Sequence, residues 1–216
     1  MQAPQALIFD LDGLVLDTEP GYRAAWRYAA EQMGLRLGDD IWQGLSGAAA
    51  EQVHASLLAY APDHFNLSEF QRVSGAYWRQ QVLAQGIAVM PGLHQLLALV
   101  QQRRLPYALA TNSPLQAAKF CLQCADLSDS FTCIISRDQV NQPKPAPDII
   151  LAAAASLSVS AVQCWLLEDS WTGIQAGLAA GAQCVWVGAQ AQSQQSHAKI
   201  AASLTEVADW LAALSS

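Results

Sequence analysis

The 216-residue chain is long enough for one large domain or for a core domain that carries a smaller insertion. An apolar share of 52% against 13% charged residues provides for a substantial core and argues against disorder. The net charge of −7 argues against nucleic acid and anionic membrane surfaces as partners, although a bound cation still lets one site accept a phosphorylated small molecule.

No segment has the length of a transmembrane helix, and residues 1–5 lack the basic start of a signal peptide. The five cysteines are scattered over apolar segments, which favours buried, reduced thiols over a metal or redox site. We therefore expect a cytoplasmic protein and, by default, a monomer.

The first predicted strand delivers two carboxylates to the end of a sheet. An apolar run, Leu7–Phe9, precedes Asp10 and Asp12, and Gly13 ends the strand. Side chains two residues apart in an extended segment point the same way, so these carboxylates face one small volume, where they repel unless a cation or a shared proton relieves them. Mg²⁺ is the usual cation for such oxygen ligands, and the pair offers a nucleophile and a general acid/base. Two solvated aspartates before a turn are the alternative at this point.

Residues 17–85 are predicted to form a helical insertion. Apolar residues at helical spacing indicate helices at residues 18–33, about 49–60 and 68–85, and the small, glycine-rich residues 38–50 indicate a loop. No convincing strand occurs between residues 21 and 86.

From residue 90 onward, strands and helices alternate. Strands are predicted at residues 107–110, 132–135, 164–167 and 183–187, with helices between them and a helical tail that ends near residue 214. This alternation predicts an α/β fold with a Rossmann-like, doubly wound parallel sheet. In such sheets, ligands bind beyond the carboxyl ends of the strands.

Polar residues stand at those predicted strand ends. Residues 111–113 (Thr-Asn-Ser) follow one strand, residues 168–170 (Glu-Asp-Ser) follow another, and Lys144 lies in a proline-rich segment before a helix. A carboxylate nucleophile, donors for phosphate oxygens, a charge-offsetting lysine and carboxylates for Mg²⁺ are the parts that phosphoryl transfer needs. A surface lysine and a helix N-cap are the ordinary alternatives for single members, but four features in these places jointly favour a site.

The four motifs resemble those of haloacid dehalogenase (HAD) superfamily phosphatases, in the subgroup of β-phosphoglucomutase and small sugar-phosphate phosphatases. Residues 9–19 match the first family motif, residues 111–113 the second, Lys144 the third, and residues 168–170 with Gly173 the fourth. The resemblance spans nearly the whole chain. It implies an HAD-like core domain of residues 1–16 and 86–216, and an α-helical cap of residues 17–85 that closes over the substrate.

The resemblance also implies a role for each site residue. Asp10 is expected to be the nucleophile, and Asp12 the acid that protonates the leaving oxygen and then the base that activates water. The phosphoryl group is expected to be held by Thr111, Asn112, Ser113 and Lys144, of which Lys144 also offsets charge during catalysis. The Mg²⁺ ligands are expected to be Asp10, the main-chain carbonyl of Asp12 and Asp169, with Glu168 nearby.

Two features favour hydrolysis over a mutase reaction. Tyr22 stands where the mutase pattern has a histidine, and residues 44–52 include no basic residue to hold a bisphosphate intermediate. The absence of a lysine from residues 17–85 argues against a phosphonoacetaldehyde hydrolase, and Asp12 argues against a dehalogenase proper. We therefore predict a phosphatase of small sugar or polyol phosphates. A β-phosphoglucomutase-type mutase, a phosphoglycolate phosphatase and a non-catalytic phosphate-binding relative are the alternatives.

Overall fold

A computed structural model describes residues 2–45, 50–62, 65–188 and 197–214, and the chain divides into two compact units. The larger unit comprises Met1–Asp17 and Ala88–Ser216, and the smaller, helical unit comprises Thr18–Ile87. No helix in the described ranges has the length and apolar character needed to cross a membrane.

The larger unit is built on a parallel sheet of six strands, β1 (Ala6–Phe9), β2 (Tyr107–Thr111), β3 (Ile134–Ser136), β4 (Cys164–Glu168), β5 (Gln183–Val187) and β6 (Lys199–Ala201). The strand order is β3-β2-β1-β4-β5-β6, which confirms the predicted doubly wound α/β fold. The order reverses between β1 and β4. The crevice beyond the carboxyl ends of these two strands is therefore where a ligand is expected.

The helices are, in chain order, α1 (Glu19–Gln32), α2 (Asp39–Gly44), α3 (Ala50–Tyr60), α4 (Leu67–Gln85), α5 (Leu93–Gln102), α6 (Leu115–Cys124), α7 (Asp148–Ser156), α8 (Trp171–Ala179) and α9 (Leu204–Ala213). Helices α7 and α8 pack on one face of the sheet, over a core that includes Ile8 and Leu166. Every residue of β1 and β4 is buried, as is typical of central parallel strands that are covered on both faces. The two strands that lead into the predicted site are thus buried along their whole length.

Three elements differ from the prediction. Helix α2 lies in the region predicted to be a loop, where two aspartates begin the helix and Trp42 buries its side chain. Strand β3 begins two residues later than predicted, at Ile134. Strand β6 was not predicted, because a three-residue strand is too short for a periodicity signal.

The helical unit, formed by α1 to α4, has its own apolar core. Trp42, Leu57 and Phe70 are among its buried side chains, and they come from α2, α3 and α4. Helix α4 begins at a side-chain cap, in which the Asn66 Oδ1 atom accepts a hydrogen bond from the Glu69 N–H at 3.1 Å.

Candidate active site

The carboxyl ends of β1, β2 and β4 bring the predicted site residues together. Asp10 directly follows β1, and Thr111 and Glu168 are the last residues of β2 and β4. The parallel registers pair Phe9 with both Leu109 and Leu167, so the three strands end side by side. Residues that are more than 150 positions apart in sequence therefore surround one volume.

Lys144 forms hydrogen bonds to three other residues of this site. Its ammonium group donates to Asp10 Oδ1 at 2.5 Å, to Glu168 Oε1 at 2.6 Å and to the Ala110 carbonyl at 2.9 Å. These three bonds use the three N–H donors of a lysine. Burial alone would lower the pKa of Lys144, but the Asp10 and Glu168 carboxylates outweigh it and raise that pKa above its usual value. Lys144 is therefore a permanent buried cation, and the alternative of a solvated surface lysine is wrong.

Asn112 fixes the main chain that carries Lys144. The Asn112 Nδ2 group donates to the Lys144 carbonyl at 3.1 Å, and the Asn112 Oδ1 atom accepts from the Lys144 N–H at 2.9 Å. The side chain of Asn112 thus joins β2 to the segment before α7. Phosphate binding by the Asn112 main chain stays a prediction.

Ser113 lies against the predicted acid/base. Its hydroxyl donates to Asp12 Oδ2 at 2.8 Å, while its main-chain N–H donates to Thr111 Oγ1 at 3.0 Å. One residue therefore orients both the Asp12 carboxyl group and the Thr111 hydroxyl, two groups that the sequence assigned to the site.

Glu168 is fully buried and links Lys144 to the start of α8. Its second oxygen, Oε2, accepts from the Ser170 N–H at 2.9 Å and from the Ser170 hydroxyl at 2.8 Å. The same hydroxyl oxygen accepts from the Gly173 N–H at 3.1 Å and so caps the helix. A Cβ atom at Gly173 would collide with the Glu168 carboxylate, so this position requires glycine.

Three carboxylates are placed where they can share a cation. Oxygen atoms of Asp10, Glu168 and Asp169 lie within 4.8 Å of one another. Burial raises the pKa of Asp10 well above its usual value, and neighbouring carboxylates add to this effect against the opposing charge of Lys144. Burial, followed by the charge of Glu168, raises the pKa of Asp169 to about 8. Crowded, buried oxygen donors of this kind fit a hard divalent cation such as Mg²⁺, which would favour their charged forms.

Sequence reasoning missed Trp186 on β5. Its indole N–H donates to the main-chain carbonyl of Asp169 at 2.9 Å. A tryptophan in an apolar strand is typical of core packing, so no local pattern indicated this contact. Gly13, by contrast, was noticed only as a strand breaker; it has φ +82°, and a Cβ atom there would collide with the Asp169 carboxylate.

Comparison with known proteins supports the same chemistry. A family model described as haloacid dehalogenase-like hydrolase matches residues 4–181. The chain is 30% identical over 182 residues to the phosphorylated carbohydrates phosphatase of Thermotoga maritima, with 84% of each chain covered. It is 32% identical over 190 residues to the β-phosphoglucomutase of Bacillus subtilis, which covers 85% of this chain and 83% of that one. A HAD family hydrolase from Deinococcus radiodurans, solved with bound phosphate and sodium, superimposes with a TM-score of 0.81 at 27% identity, covering 98% of this chain and 96% of that one.

Proposed function

This chain belongs to the haloacid dehalogenase-like hydrolase family, and we propose that it is a Mg²⁺-dependent phosphatase of small sugar or polyol phosphates. It is an enzyme, as its family and its relatives named as phosphatases indicate. The observation that carries the proposal is the buried Lys144 ammonium, which bonds both Asp10 and Glu168. Its charge lowers the pKa of Asp10 and thereby favours the ionised form that a carboxylate nucleophile requires.

Asp10 is proposed to attack the phosphorus atom, so that an aspartyl-phosphate forms and the bond to the leaving oxygen breaks. Asp12 gives its proton to that oxygen and releases the alcohol. In the second half, Asp12 takes a proton from water as the water oxygen attacks phosphorus, which regenerates Asp10 and releases phosphate. The hydrogen bond from Ser113 holds the Asp12 carboxyl group in place for both transfers.

We assign the Mg²⁺ ligands to the Asp10 carboxylate, the main-chain carbonyl of Asp12 and the Asp169 carboxylate. We assign Glu168 to the surrounding shell because both its oxygens accept hydrogen bonds, from Lys144 and from Ser170. When bound, the ion supplies positive charge to phosphate oxygens. Lys144 adds a second positive charge that is fixed before the substrate arrives.

The helical unit contains a cavity of about 180 Å³ that supports a neutral leaving group. Aromatic rings of Tyr22, Trp26 and Trp78 line it together with the polar side chains of His54, Gln71 and Ser74. Within the described part of the chain, no carboxylate, lysine or arginine belongs to this lining. A neutral, hydroxylated ring fits such a surface better than an acid does. The neutral loop of residues 44–52, which favours hydrolysis in the sequence, lies partly outside the described residues.

The Tyr22 ring supports hydrolysis over the mutase reaction. It stacks on Trp26 with a centroid distance of 5.9 Å and on Trp78 at 5.0 Å. A phenol does not replace a histidine, the side chain suited to carry a proton at neutral pH. Since a relative is named β-phosphoglucomutase, the mutase reaction is the second candidate.

The test is phosphate release from a panel of phosphorylated metabolites, with Mg²⁺ and with EDTA, beside an isomerisation assay on β-glucose-1-phosphate. Mg²⁺-dependent release without isomerisation supports the proposal, whereas isomerisation without release supports the mutase. A preference of more than about tenfold for phosphoglycolate would overturn the substrate class. Asp10→Asn should abolish release, and Asp129→Asn, at an exposed position, is the matched control.

Gln71→Leu tests the cavity directly. It should raise KM for sugar phosphates and leave KM for p-nitrophenyl phosphate nearly unchanged, because the aromatic leaving group offers no hydroxyls to Gln71. The control is Gln80→Leu, an exposed glutamine on the same helix, α4, that lies outside the cavity lining. An equal change of KM in both variants, or an unchanged KM for sugar phosphates in Gln71→Leu, would argue against sugar binding in the cavity.

A further inference from the structure

Trp186 holds the main chain of a proposed metal ligand without itself approaching the cation. Its partner in the sheet register is Glu168, so the indole lies on the strand beside the end of β4. From there its N–H donates to the Asp169 carbonyl at 2.9 Å. Trp186 is itself 6% exposed, so this hydrogen bond is sheltered from competing water.

A second tryptophan, Trp171, contacts Trp186 at the other end of the short segment of residues 169–171. Trp171 is the first residue of α8, and its ring stacks on Trp186 with centroids 5.7 Å apart and planes 24° apart. One indole therefore contacts residue 169 by a hydrogen bond and residue 171 by stacking. Residue 170, between them, is held by Glu168. The backbone that carries the Asp169 carboxylate is fixed at three successive residues.

Such fixation matters because the half-buried Asp169 carboxylate lies close to other carboxylates, which repel it. It occupies the space that a Cβ atom at Gly13 would take. A loose backbone would let the carboxylate turn away from the cation site. Rigid support of a ligand is known to raise metal affinity, and loss of outer-shell partners typically costs about 10–100-fold.

We propose that Trp186, braced by Trp171, is a positioning residue that raises the Mg²⁺ affinity of the site through the Asp169 main chain. The proposal rests on the proposed function only in requiring a divalent cation at Asp10 and Asp169. The structure offers a matched control in Trp165, whose indole N–H also donates to a main-chain carbonyl, that of Gln2, at 2.9 Å. Trp165 lies on β4 and is also buried.

The experiment measures cation binding rather than turnover. Free Mn²⁺ is followed by electron paramagnetic resonance, and Mg²⁺ by calorimetry, in the full chain and in Trp186→Phe, Trp171→Leu and Trp165→Phe. We expect Kd for both ions to rise about tenfold in Trp186→Phe and about threefold in Trp171→Leu, and to stay within about twofold in Trp165→Phe. Melting temperatures in EDTA show whether each variant is folded.

If Trp186 had only a structural role, the Trp186 and Trp165 variants would show equal decreases in melting temperature, and Kd would not change. An unchanged Kd in folded Trp186→Phe, or an equal rise in Trp165→Phe, overturns the proposal and leaves the phosphatase intact. Should Trp186→Phe fail to fold, Trp171→Leu decides, since Trp171 is 38% exposed and tolerates truncation. A parent chain that binds no Mn²⁺ overturns both the inference and the metal dependence of the proposed function.

Discussion

Replacing Lys144 with methionine removes the single positive charge in contact with two buried carboxylates. The Lys144 side chain is 3% exposed, and those of Asp10 and Glu168 are 11% and 1% exposed. Removal of one partner from a buried ion pair costs about 3–5 kcal/mol, because the remaining charge is left uncompensated. Against a usual stability of about 5–15 kcal/mol, Lys144→Met should lower the melting temperature in EDTA by roughly 6–20 °C.

The loss of stability in Lys144→Met should depend on pH, and the direction of this dependence follows from the pKa of Asp10. Lys144 lowers the pKa of Asp10, so the variant raises that pKa further above the unfolded value of about 3.9. Between the unfolded and the folded pKa, the folded state binds more protons than the unfolded state, and its stability therefore falls as pH rises. Because the pKa of Asp10 is already raised in the parent, the deficit of Lys144→Met relative to the parent should be smallest at acidic pH and should grow as pH rises through the parent's folded-state pKa of Asp10.

The assay is urea unfolding in EDTA at several pH values, with Lys119→Met as the matched control. Lys119 is exposed on α6, so the same change there should stay within about 0.5 kcal/mol at every pH. A Lys144→Met chain as stable as the parent at pH 8 would refute the reasoning. So would a deficit that shrinks as pH rises, because the lysine would then not be compensating buried negative charge.

Two further predictions concern packing. Gly173→Ala should reduce kcat by about tenfold or more, because its methyl group collides with the Glu168 carboxylate that holds Lys144. Gly75→Ala, with open space around its Cβ position on α4, should instead stabilise the helix by about 0.5–1 kcal/mol. Equal changes in melting temperature in the two variants would contradict the packing. A disulfide reagent should not label the buried thiols of the native protein and should label them once urea is added. Burial raises the pKa of Cys184 and of Cys121 to about 12, which disfavours the reactive thiolate. The protected set is Cys121, Cys164 and Cys184, and fast labelling of these in the native state would argue against their burial.

Much of the fold could be predicted from the sequence, because its signals are local. The apolar runs of β1, β2, β4 and β5 and the helical spacing of α1, α3 and α4 lie within single segments. Helix α2 and strand β6 are short, and what stabilises them comes from elsewhere: the Trp42 side chain is buried in the helical core, and β6 pairs with β5. Local periodicity therefore had too few residues to reveal either element.

The residues of the site could likewise be predicted, but their partners could not. Asp10, Lys144 and Asp169 stand in recognisable motifs, whereas the bonds from Asn112 to the Lys144 main chain and from Trp186 to the Asp169 carbonyl depend on strand register. The motif predicted phosphate binding by the Asn112 main chain and gave no role to the Asn112 side chain, which holds the segment that carries the lysine. A motif predicts which types of residue form a site, whereas the fold determines which of their atoms are in contact.

Glu168 makes both repulsive and attractive contacts within the buried charge cluster. Glu168 adds a negative charge to a site already crowded by Asp10 and Asp169, and its charge contributes to the raised pKa of both. Yet the same carboxylate is what holds the Lys144 ammonium and caps the start of α8 through Ser170. A neutral residue there would ease the repulsion and release the lysine. We infer that Glu168 offsets its electrostatic cost because it sets the position of the Lys144 ammonium before substrate and metal bind.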